Sequence, residues 1–433
     1  MINRRLVLGG IALVSFIFLI FILGGIRGAE ERKRSAGTLK VWGVFETNDN
    51  IHALAKEYAK IKPKIKIEYR NFTVDEYENL LIGEIAEGDG PDIAFIHNTW
   101  LPRHHAKFAP LSEDPVSIEL MKTTFVQAPG EDLIYNGKVY AMPLYVDSLA
   151  LYYNLDHYQD TVIRGRPAET WQELQNDLLE LNVPDASAAG YARSGLALGT
   201  ANNISRASDI LYLLLLQRGQ AVYPPDFDKL SLGAGDKENI LAFYTSFADK
   251  NKSYASWNES FNYYTDVFAD GKVSTIVGFA YLLPEVKSKT ERKRLTFATA
   301  PIPQQDPDNP VNLASYWALA INRNSQNWVA AAEFIQFLTL NKDTAAKYFA
   351  LTQKPPARRD LIEEHQNDPY LGSFARSALS AKTFPIFDNG RYDRLFEEAV
   401  NKVNTRKISS REALQTVEDQ LNQFLTTEST LRE

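Results

Sequence analysis

The sequence predicts an α/β fold, because strand-like and helix-like segments alternate along the chain. Between residues 39 and 96 the order is strand, helix, strand, helix, strand. Strands joined by helical crossovers form a largely parallel sheet, and ligands of such sheets bind beyond the carboxyl ends of the strands. With 433 residues, of which 45% are hydrophobic, the chain has material for two or three domains.

The first five elements follow from apolar spacing and end signals. Residues 39–45, 65–69 and 92–96 read as strands, and the helix between the first two strands ends before a proline. The next helix begins at a predicted capping box, in which the side chains of Thr73 and Glu76 each accept the backbone N–H of the other residue. It ends at a glycine-rich stretch. The segment is therefore a βαβαβ unit.

Later elements follow from the same signals. The extended stretch 145–154 is long enough to pass from one lobe to another. Residues 210–216 are apolar on all sides and predict a buried helix, since seven residues cannot span a bilayer. Capping boxes at Thr170 and Ser409 begin two more helices. The remaining predicted elements are strands at 273–281, 295–300 and 315–321, a solvated helix end at 287–294 and an amphipathic helix at 328–338.

The N-terminal segment, residues 1–37, is predicted to be a transmembrane anchor followed by a tether. Residues 6–26 carry no charge, and a helix of that length spans roughly 31 Å at about 1.5 Å per residue. The run exceeds the apolar region of about 7 to 15 residues in a cleaved signal. A long cleaved signal, which would leave a secreted or periplasmic body, is the alternative.

Composition and motifs exclude several classes of function. The formal net charge of −7 argues against nucleic-acid binding and against docking on anionic lipids through a basic face. Without cysteine there is no disulfide framework, thiolate metal site or cysteine nucleophile. The phosphate loop, dinucleotide, nucleophile-elbow and zinc-helix motifs are missing from the sequence. No metal and no cofactor are predicted.

Aromatic residues with polar neighbours occur at several predicted strand ends. Such rings offer flat apolar surfaces, and adjacent carboxylates and amides form hydrogen bonds, a combination that suits the faces and hydroxyl edges of a sugar. Ordinary core packing remains the alternative for each ring taken singly. The candidate ligand-binding residues are Phe45, Glu46, His97, Asn98, Trp100, Tyr145, Asp147, Trp257, Asn258, Phe279, Tyr281, Tyr316 and Trp317.

A set of segments in order resembles the family 1 extracellular solute-binding proteins of ABC importers, relatives of the maltose-binding protein. The segments are Gly90–Ile96, Gly137–Pro143, Val146–Asn154, Thr170–Leu174, Phe268–Lys272, Ala300–Gln304, Ser315–Ile321 and Pro355–Arg359. The resemblance covers nearly all of the chain beyond about residue 38.

The resemblance implies a two-lobed periplasmic-binding-protein-like (type II) α/β fold. The first lobe would combine residues 38–146 with 275–322, and the second 147–274 with 323–433, with a hinge near 145–150. Asp147 stands where relatives often place an acid that binds sugar hydroxyls. The segments of Glu46, Trp100, Trp257, Tyr281 and Trp317 commonly face the ligand.

The function expected from the resemblance is that of a receptor, not an enzyme. It would capture a carbohydrate or polyol by hinge closure at the outer face of the membrane and deliver it to the permease subunits of an ABC importer. Charged solutes such as a glycerol-phosphate ester, and peptides, stay open, and Arg358 is the candidate group for a phosphate. The alternatives are a membrane-anchored glycoside hydrolase using Glu46 and Asp147 as its two carboxylates, and a chaperone or adhesion module.

Overall fold

The computed structural model describes residues 37–186, 190–219, 230–232 and 237–430. The chain divides into two compact units. Unit 1 contains Met1–Phe95, Ala106–Leu111 and Leu319–Thr352, and unit 2 contains Ile96–His105, Ser112–Ala318 and Gln353–Glu433. These bounds are not those of the expected lobes, whose limits stay a prediction. The expected anchor, residues 6–26, lies outside the described residues.

The first part of the chain forms the predicted βαβαβ unit. Its elements are β1 (Gly37–Val44), α1 (Asn48–Ile61), β2 (Ile65–Phe72), α2 (Val74–Glu87) and β3 (Ile93–His97), followed by α3 (Leu101–His104) and β4 (Phe108–Ala109). β1 pairs in parallel with β2 and with β3. The prediction for this segment is confirmed.

The remaining elements include runs of consecutive strands and of consecutive helices. They are α4 (Ile118–Thr124), α5 (Gln127–Asp132), β5 (Ile134–Tyr135), β6 (Lys138–Val139), β7 (Ala141–Pro143), β8 (Asp147–Asn154), α6 (Leu155–Thr161), α7 (Trp171–Leu181), β9 (Val183–Pro184), β10 (Tyr191–Arg193), α8 (Ala207–Gln217), α9 (Lys237–Ser246), α10 (Tyr264–Ala269), β11 (Thr275–Phe279), α11 (Leu283–Lys293), β12 (Phe297–Pro301), β13 (Asn312–Ser315), β14 (Trp317–Asn322), α12 (Trp328–Thr339), α13 (Lys342–Thr352), α14 (Arg359–His365), α15 (Gly372–Ala378), β15 (Ala381–Lys382), α16 (Asn389–Asn404) and α17 (Ser410–Thr430).

Unit 1 is built on a sheet with the strand order β2-β1-β3-β14-β4. The β1 segment 41–44 is buried, as the apolar sequence predicts, and α1 packs with α12 and α13 beside the sheet. Gly88 ends α2 with a φ of +93°, a left-handed conformation that glycine adopts without strain. The carboxyl end of β1 is followed directly by Phe45 and Glu46.

Unit 2 contains a second sheet, and here the expectation of mainly parallel pairing fails. Its order is β11-β8-β13-β15, and β12 also pairs with β8. Three strands, β11, β12 and β13, pair with β8 in antiparallel fashion. Every residue of β8 is buried, and residues 207–215 of α8 are buried all round, as predicted.

Two of the three predicted capping boxes place hydrogen bonds at helix starts. Ser409 and Glu412 exchange both bonds of the motif, at 2.9 and 3.2 Å, and the Thr170 hydroxyl accepts the N–H of Glu173 at 3.2 Å. Thr73 precedes α2 but makes no side-chain cap bond. Its hydroxyl lies 3.5 Å from the Glu76 carboxylate instead. The prediction of a capping box at Thr73 is therefore wrong. Over the described residues, no helix is both long and apolar enough for a membrane crossing.

Candidate functional site

Two of the expected ligand-binding residues, Phe45 and Glu46, follow β1 in unit 1. The Phe45 ring is 59% exposed and its φ is +61°, a region that non-glycine residues seldom adopt. Glu46 is buried, with its carboxylate bonded by the Tyr348 hydroxyl and its carbonyl accepting the Tyr69 hydroxyl at 3.3 Å. The glutamate therefore holds a strained turn that displays an aromatic ring.

In unit 2, His97, Trp100 and Trp317 form an aromatic cluster. The Trp317 ring lies 5.0 Å from the Trp100 ring and 5.3 Å from the His97 ring, both edge to face. The His97 Nδ1 and Nε2 atoms lie 2.8 and 3.3 Å from the hydroxyls of Thr99 and Ser315. Burial lowers the pKa of His97 to about 3, so the imidazole is neutral near pH 7. The cluster is buried and uncharged, with hydrogen-bonding hydroxyls beside it.

Asp147 holds the segment that carries Phe279 and Tyr281. One carboxylate oxygen accepts the backbone N–H groups of Ser148 and Ala280, both at 2.8 Å, and the other accepts that of Tyr281 at 3.0 Å. The Tyr281 ring is half exposed and stacks on Phe279 at 5.8 Å. Asp147 therefore acts on this segment as a positioning residue.

Arg206, which is not among the candidates predicted from the sequence, acts electrostatically on both His97 and Tyr281. Its positive charge contributes to the lowered pKa of His97 and opposes the burial that raises the pKa of Tyr281 to about 12. Its guanidinium donates to Asp209 at 2.5 and 3.0 Å and to Asp393 at 2.9 Å. The two aspartates neutralise the arginine and fix its orientation.

The first turn of α16 completes this part of unit 2. The Thr99 hydroxyl donates to the Asn389 carboxamide oxygen at 3.0 Å. Asp393, one turn further along, also accepts the hydroxyls of Ser208 and Tyr212, at 2.8 and 3.0 Å. We call His97, Trp100, Arg206, Tyr281, Trp317 and Asn389 the Tyr281 group.

Asn98 and Tyr316 belong to a closed hydrogen-bonded ring beside the aromatic cluster. The Asn98 N–H donates to the Tyr316 carbonyl at 3.0 Å, and its carboxamide donates to Thr383 at 2.6 Å. The hydroxyls of Thr383 and Tyr316 both donate to Asp132, at 2.5 and 2.8 Å. The ring lies next to the places where the chain passes between units, after residues 95 and 318.

The other candidate residues have different surroundings. Tyr145 is buried under the Lys354 ammonium, which lies 4.6 Å from its ring centre. The Arg358 guanidinium is bonded to Asp360 at 2.8 and 3.0 Å. A carboxylate partner reduces the suitability of Arg358 for a phosphate.

Trp257 and Asn258 line a separate cavity of about 1250 Å³ in unit 2, whose lining includes no member of the Tyr281 group. The Trp257 indole donates to Asn203 at 3.0 Å and stacks on Phe261 at 4.1 Å, while the Asn258 carboxamide accepts the Ser260 N–H. These polar atoms are used within the fold.

The side chains of the Tyr281 group and its surroundings determine what the site can bind. Among the described residues, no three His, Asp or Glu side chains are placed to hold a metal ion. The groups present are rings, hydroxyls, amides and carboxylates paired with cations. Such a set recognises hydroxyl-rich molecules by stacking and hydrogen bonding.

A family comparison agrees with this chemistry. The model of the bacterial extracellular solute-binding proteins matches residues 53–371, which is most of the chain. The chain belongs to this family.

Relatives and solved structures extend the match. The solute-binding protein is 21% identical over 374 residues to the maltotriose-binding protein of Pyrococcus abyssi (strain GE5 / Orsay), covering 82% of this chain and 75% of the relative. It is 24% identical to the diacetylchitobiose binding protein DasA of Streptomyces coelicolor (strain ATCC BAA-471 / A3(2) / M145), covering 78% and 79%. The sugar-binding protein MalE of Xanthomonas citri matches in structure with a TM-score of 0.77 at 17% identity, covering 91% of this chain and 99% of MalE. The solute-binding protein therefore has the fold of MalE.

Proposed function

We propose that the solute-binding protein is the receptor of an ABC importer and that its solute is a neutral carbohydrate or polyol. The observation that carries the proposal is the Tyr281 group, in which an arginine paired with two aspartates acts electrostatically both on a half-exposed tyrosine ring and on a neutral imidazole. Relatives named for maltotriose, diacetylchitobiose and mannitol support the same class.

The electrostatics favour a neutral solute over an anionic one. Arg206 is already paired with Asp209 and Asp393, and Arg358 with Asp360. An anionic ligand would have to displace these carboxylates or lie beside them, at a cost in like-charge repulsion. Hydroxyl groups can instead accept from the arginine and donate to the carboxylates, which act as hydrogen-bond acceptors.

Binding is tested on the full chain with a panel of maltotriose, diacetylchitobiose, mannitol and glycerol phosphate. A neutral member of the panel should raise the melting temperature and bind in calorimetry, since a ligand of the folded state stabilises it. Tyr281→Ala should weaken that binding at least tenfold. Trp328→Ala removes a ring of equal exposure, 50% in each case, from the other unit and serves as the control. Tight binding of glycerol phosphate alone would contradict the proposal.

All fourteen candidate ligand-binding residues remain part of the proposal in different roles. We assign direct contact to Phe45 and to the Tyr281 group, and positioning to Glu46, Asp147, Asn98 and Tyr316. The remaining five, Tyr145, Trp257, Asn258, Phe279 and Arg358, pack or pair within the fold and are assigned support.

We propose further that capture uses a hinge motion at the chain crossings, with lobes near 38–146 plus 275–322 and 147–274 plus 323–433. The solute would be passed to the permease subunits unchanged. Deuterium exchange of the full chain, with and without the bound sugar, tests this by protection at residues 145–150. Absence of protection there would contradict the hinge assignment.

The enzyme alternative is less favoured because the relatives are binding proteins. Both oxygens of Asp147 accept backbone N–H groups, which leaves this carboxylate poorly suited to exchange a proton with a substrate. Incubation of the bound oligosaccharide with the protein, followed by chromatography, should recover it intact.

We also propose that residues 6–26 are retained as an anchor that holds the body at the outer face of the membrane. The length of the uncharged run supports this. The mass of the protein extracted from its native membrane should include the first 37 residues. A mass lacking them would show a cleaved signal and a secreted or periplasmic protein.

A further inference from the structure

A short segment of unit 1 is strongly basic although the chain as a whole is acidic. Residues 60–66 contain four lysines and no acid, in a protein whose formal net charge is −7. The segment covers the end of α1 and the start of β2, at the amino ends of the parallel strands. Phe45 lies at the opposite, carboxyl end of the same strands.

Exposed apolar side chains accompany the lysines. Ile61 is 60% exposed, although it is the last residue of a helix whose inner face is buried, and Trp328 is 50% exposed. α1 packs on α12 through Tyr58 and Phe334, whose ring centres are 4.9 Å apart.

The start of α12, which carries Trp328, lies at the same amino ends of the strands. The Asp92 carboxylate accepts the backbone N–H of Lys40 in β1 at 2.9 Å and the Ser325 hydroxyl at 2.6 Å. It also accepts the Asn327 carboxamide at 3.2 Å. We call Lys60, Ile61, Lys62, Lys64, Lys66 and Trp328 the lysine edge.

Internal ion pairs account for part of this charge but leave it accessible. Lys60, Lys62 and Lys66 lie 2.5, 2.7 and 2.8 Å from Glu57, Glu333 and Glu68, and the lysine side chains are 66%, 37% and 71% exposed. Pairs of this exposure are weak, so the lysines can exchange partners at little cost. Lys64 has no ion-pair partner among the described side chains.

The lysine edge also lies where the chain arrives from its N-terminal segment. The backbone N–H of Gly37 donates to the Lys64 carbonyl at 3.0 Å. The ten residues 27–36 separate Gly37 from the uncharged run 6–26, and ten residues reach at most about 35 Å when fully extended. If that run is retained in a bilayer, Gly37 stays within this distance of the headgroups.

We propose that the lysine edge docks on the anionic phospholipid headgroups of the membrane that holds the anchor. The lysines would meet the phosphates while Ile61 and Trp328 enter the interface, a level at which tryptophan is favoured. The acidic remainder would be repelled, so docking fixes one orientation and directs the carboxyl ends of the unit 1 strands, with Phe45, away from the lipid. The docking rests on the proposed anchor, and it departs from the expectation, drawn from net charge, that the protein does not dock on anionic lipids through a basic face.

The test uses the full chain reconstituted in vesicles. Since the sequence has no cysteine, Ile61→Cys offers a single site for an environment-sensitive dye. Val74→Cys, which is exposed at the carboxyl end of β2 in the same unit, is the matched control position. The emission at position 61, and not at position 74, should shift to the blue with phosphatidylglycerol vesicles and stay unchanged with phosphatidylcholine vesicles.

Charge variants test the lysines themselves. Each lysine near an anionic surface contributes about fivefold to the docking equilibrium, so K64Q/K66Q should lower the docked-to-undocked ratio about 25-fold. K250Q/K252Q removes the same charge from exposed positions of unit 2 and should leave the ratio unchanged. Sugar binding should be the same in both variants.

The outcomes separate this proposal from the others. Flotation of the full chain with neutral vesicles reports the anchor, calorimetry with sugar reports the binding function, and the dye at position 61 reports docking. Equal shifts at positions 61 and 74, or an equal shift with neutral vesicles, would overturn the docking proposal. A shift that requires added permease and no anionic lipid would also overturn it, by showing that the lysine edge meets a protein.

Discussion

Arg206 and Asp393 form an ion pair across 187 residues of sequence, with guanidinium and carboxylate atoms 2.9 Å apart. The pair joins the start of α8 to the second turn of α16, and Asp209 binds the other side of the guanidinium. Asp209 is almost fully buried, and burial raises its pKa while Arg206 opposes that change. The arginine therefore stabilises two carboxylates of unit 2 and presents its remaining surface near Tyr281.

Removal of the arginine should destabilise unit 2. Arg206→Met leaves two carboxylates without their cation, and we expect the free energy of unfolding to fall by about 2 kcal/mol. Breaking a fully buried pair costs about 3 to 5 kcal/mol. The expected cost is smaller here because the arginine side chain is 37% exposed. Urea unfolding followed by circular dichroism measures the loss. Arg166→Met breaks an exposed pair with Glu169 and should change stability by less than about 0.5 kcal/mol. Equal effects of the two variants would contradict the role given to Arg206.

Asp147→Ala should weaken sugar binding through the position of Tyr281. The substitution removes the acceptor for three backbone N–H groups, including those of Ala280 and Tyr281, and should lower stability by about 2 kcal/mol. Asp147→Asn keeps one acceptor oxygen and should lie between the alanine variant and the native protein in both properties. Calorimetry measures the sugar affinity of the three proteins, and thermal unfolding measures their stability. Full loss of binding with unchanged stability would instead indicate direct contact with the sugar.

The elements that could be predicted are those with a local cause. The β1 to β3 segment follows from apolar runs and turn signals, and the buried α8 helix follows from its uninterrupted apolar sequence. The cap at Ser409 also forms as expected, because the partners are three residues apart. Thr73 shows the limit of this reasoning, since the same spacing there gives no cap bond.

The site could be predicted only in part, because its decisive contacts are distant in sequence. The sequence predicts that Asp147 binds sugar hydroxyls, but its donors at Ala280 and Tyr281 lie more than 130 residues away and cannot be read from the sequence. Arg206 precedes an apolar helix and has an acid three residues later, a signal that is visible only once Asp393 is known. Trp257 is an aromatic residue with a polar neighbour, which is the pattern expected of a sugar site. In the structure its ring stacks on Phe261 inside the fold, and the sequence pattern does not reveal this contact.

Replacement of Phe45 should have opposite effects on stability and binding. Its φ of +61° is strained for a residue with a Cβ atom, and most of its ring is exposed. Phe45→Gly should therefore stabilise unit 1 by up to about 1 kcal/mol and weaken sugar binding. Arg294→Gly relieves a similar φ of +58° at the end of α11 and should stabilise the fold without affecting the sugar. Unchanged binding in Phe45→Gly would remove this ring from the proposed site.

The buried carboxyl groups of Asp132 and Asp147 should each contribute a fall in the stability of unit 2 as pH rises from about 4 to 7. Burial raises the pKa of Asp132 and of Asp147 to about 7, above the value of about 3.9 in an unfolded chain. Between these values the folded protein holds protons that the unfolded chain has released, so the free energy of unfolding decreases by up to about 1.4 kcal/mol per pH unit and group.

Asp132→Asn tests this dependence because it retains an acceptor for the hydroxyls of Tyr316 and Thr383 without the charge. The variant should match the native protein at pH 4, and should exceed its stability at pH 8 by about 1 to 3 kcal/mol. Asp306→Asn, at an exposed site where hydrogen bonds lower the pKa of the carboxyl group, should not flatten the profile. Urea unfolding at both pH values gives the comparison. If Asp132→Asn and the native protein lost stability in parallel as the pH rose, the buried carboxyl of Asp132 would not be the source of the slope.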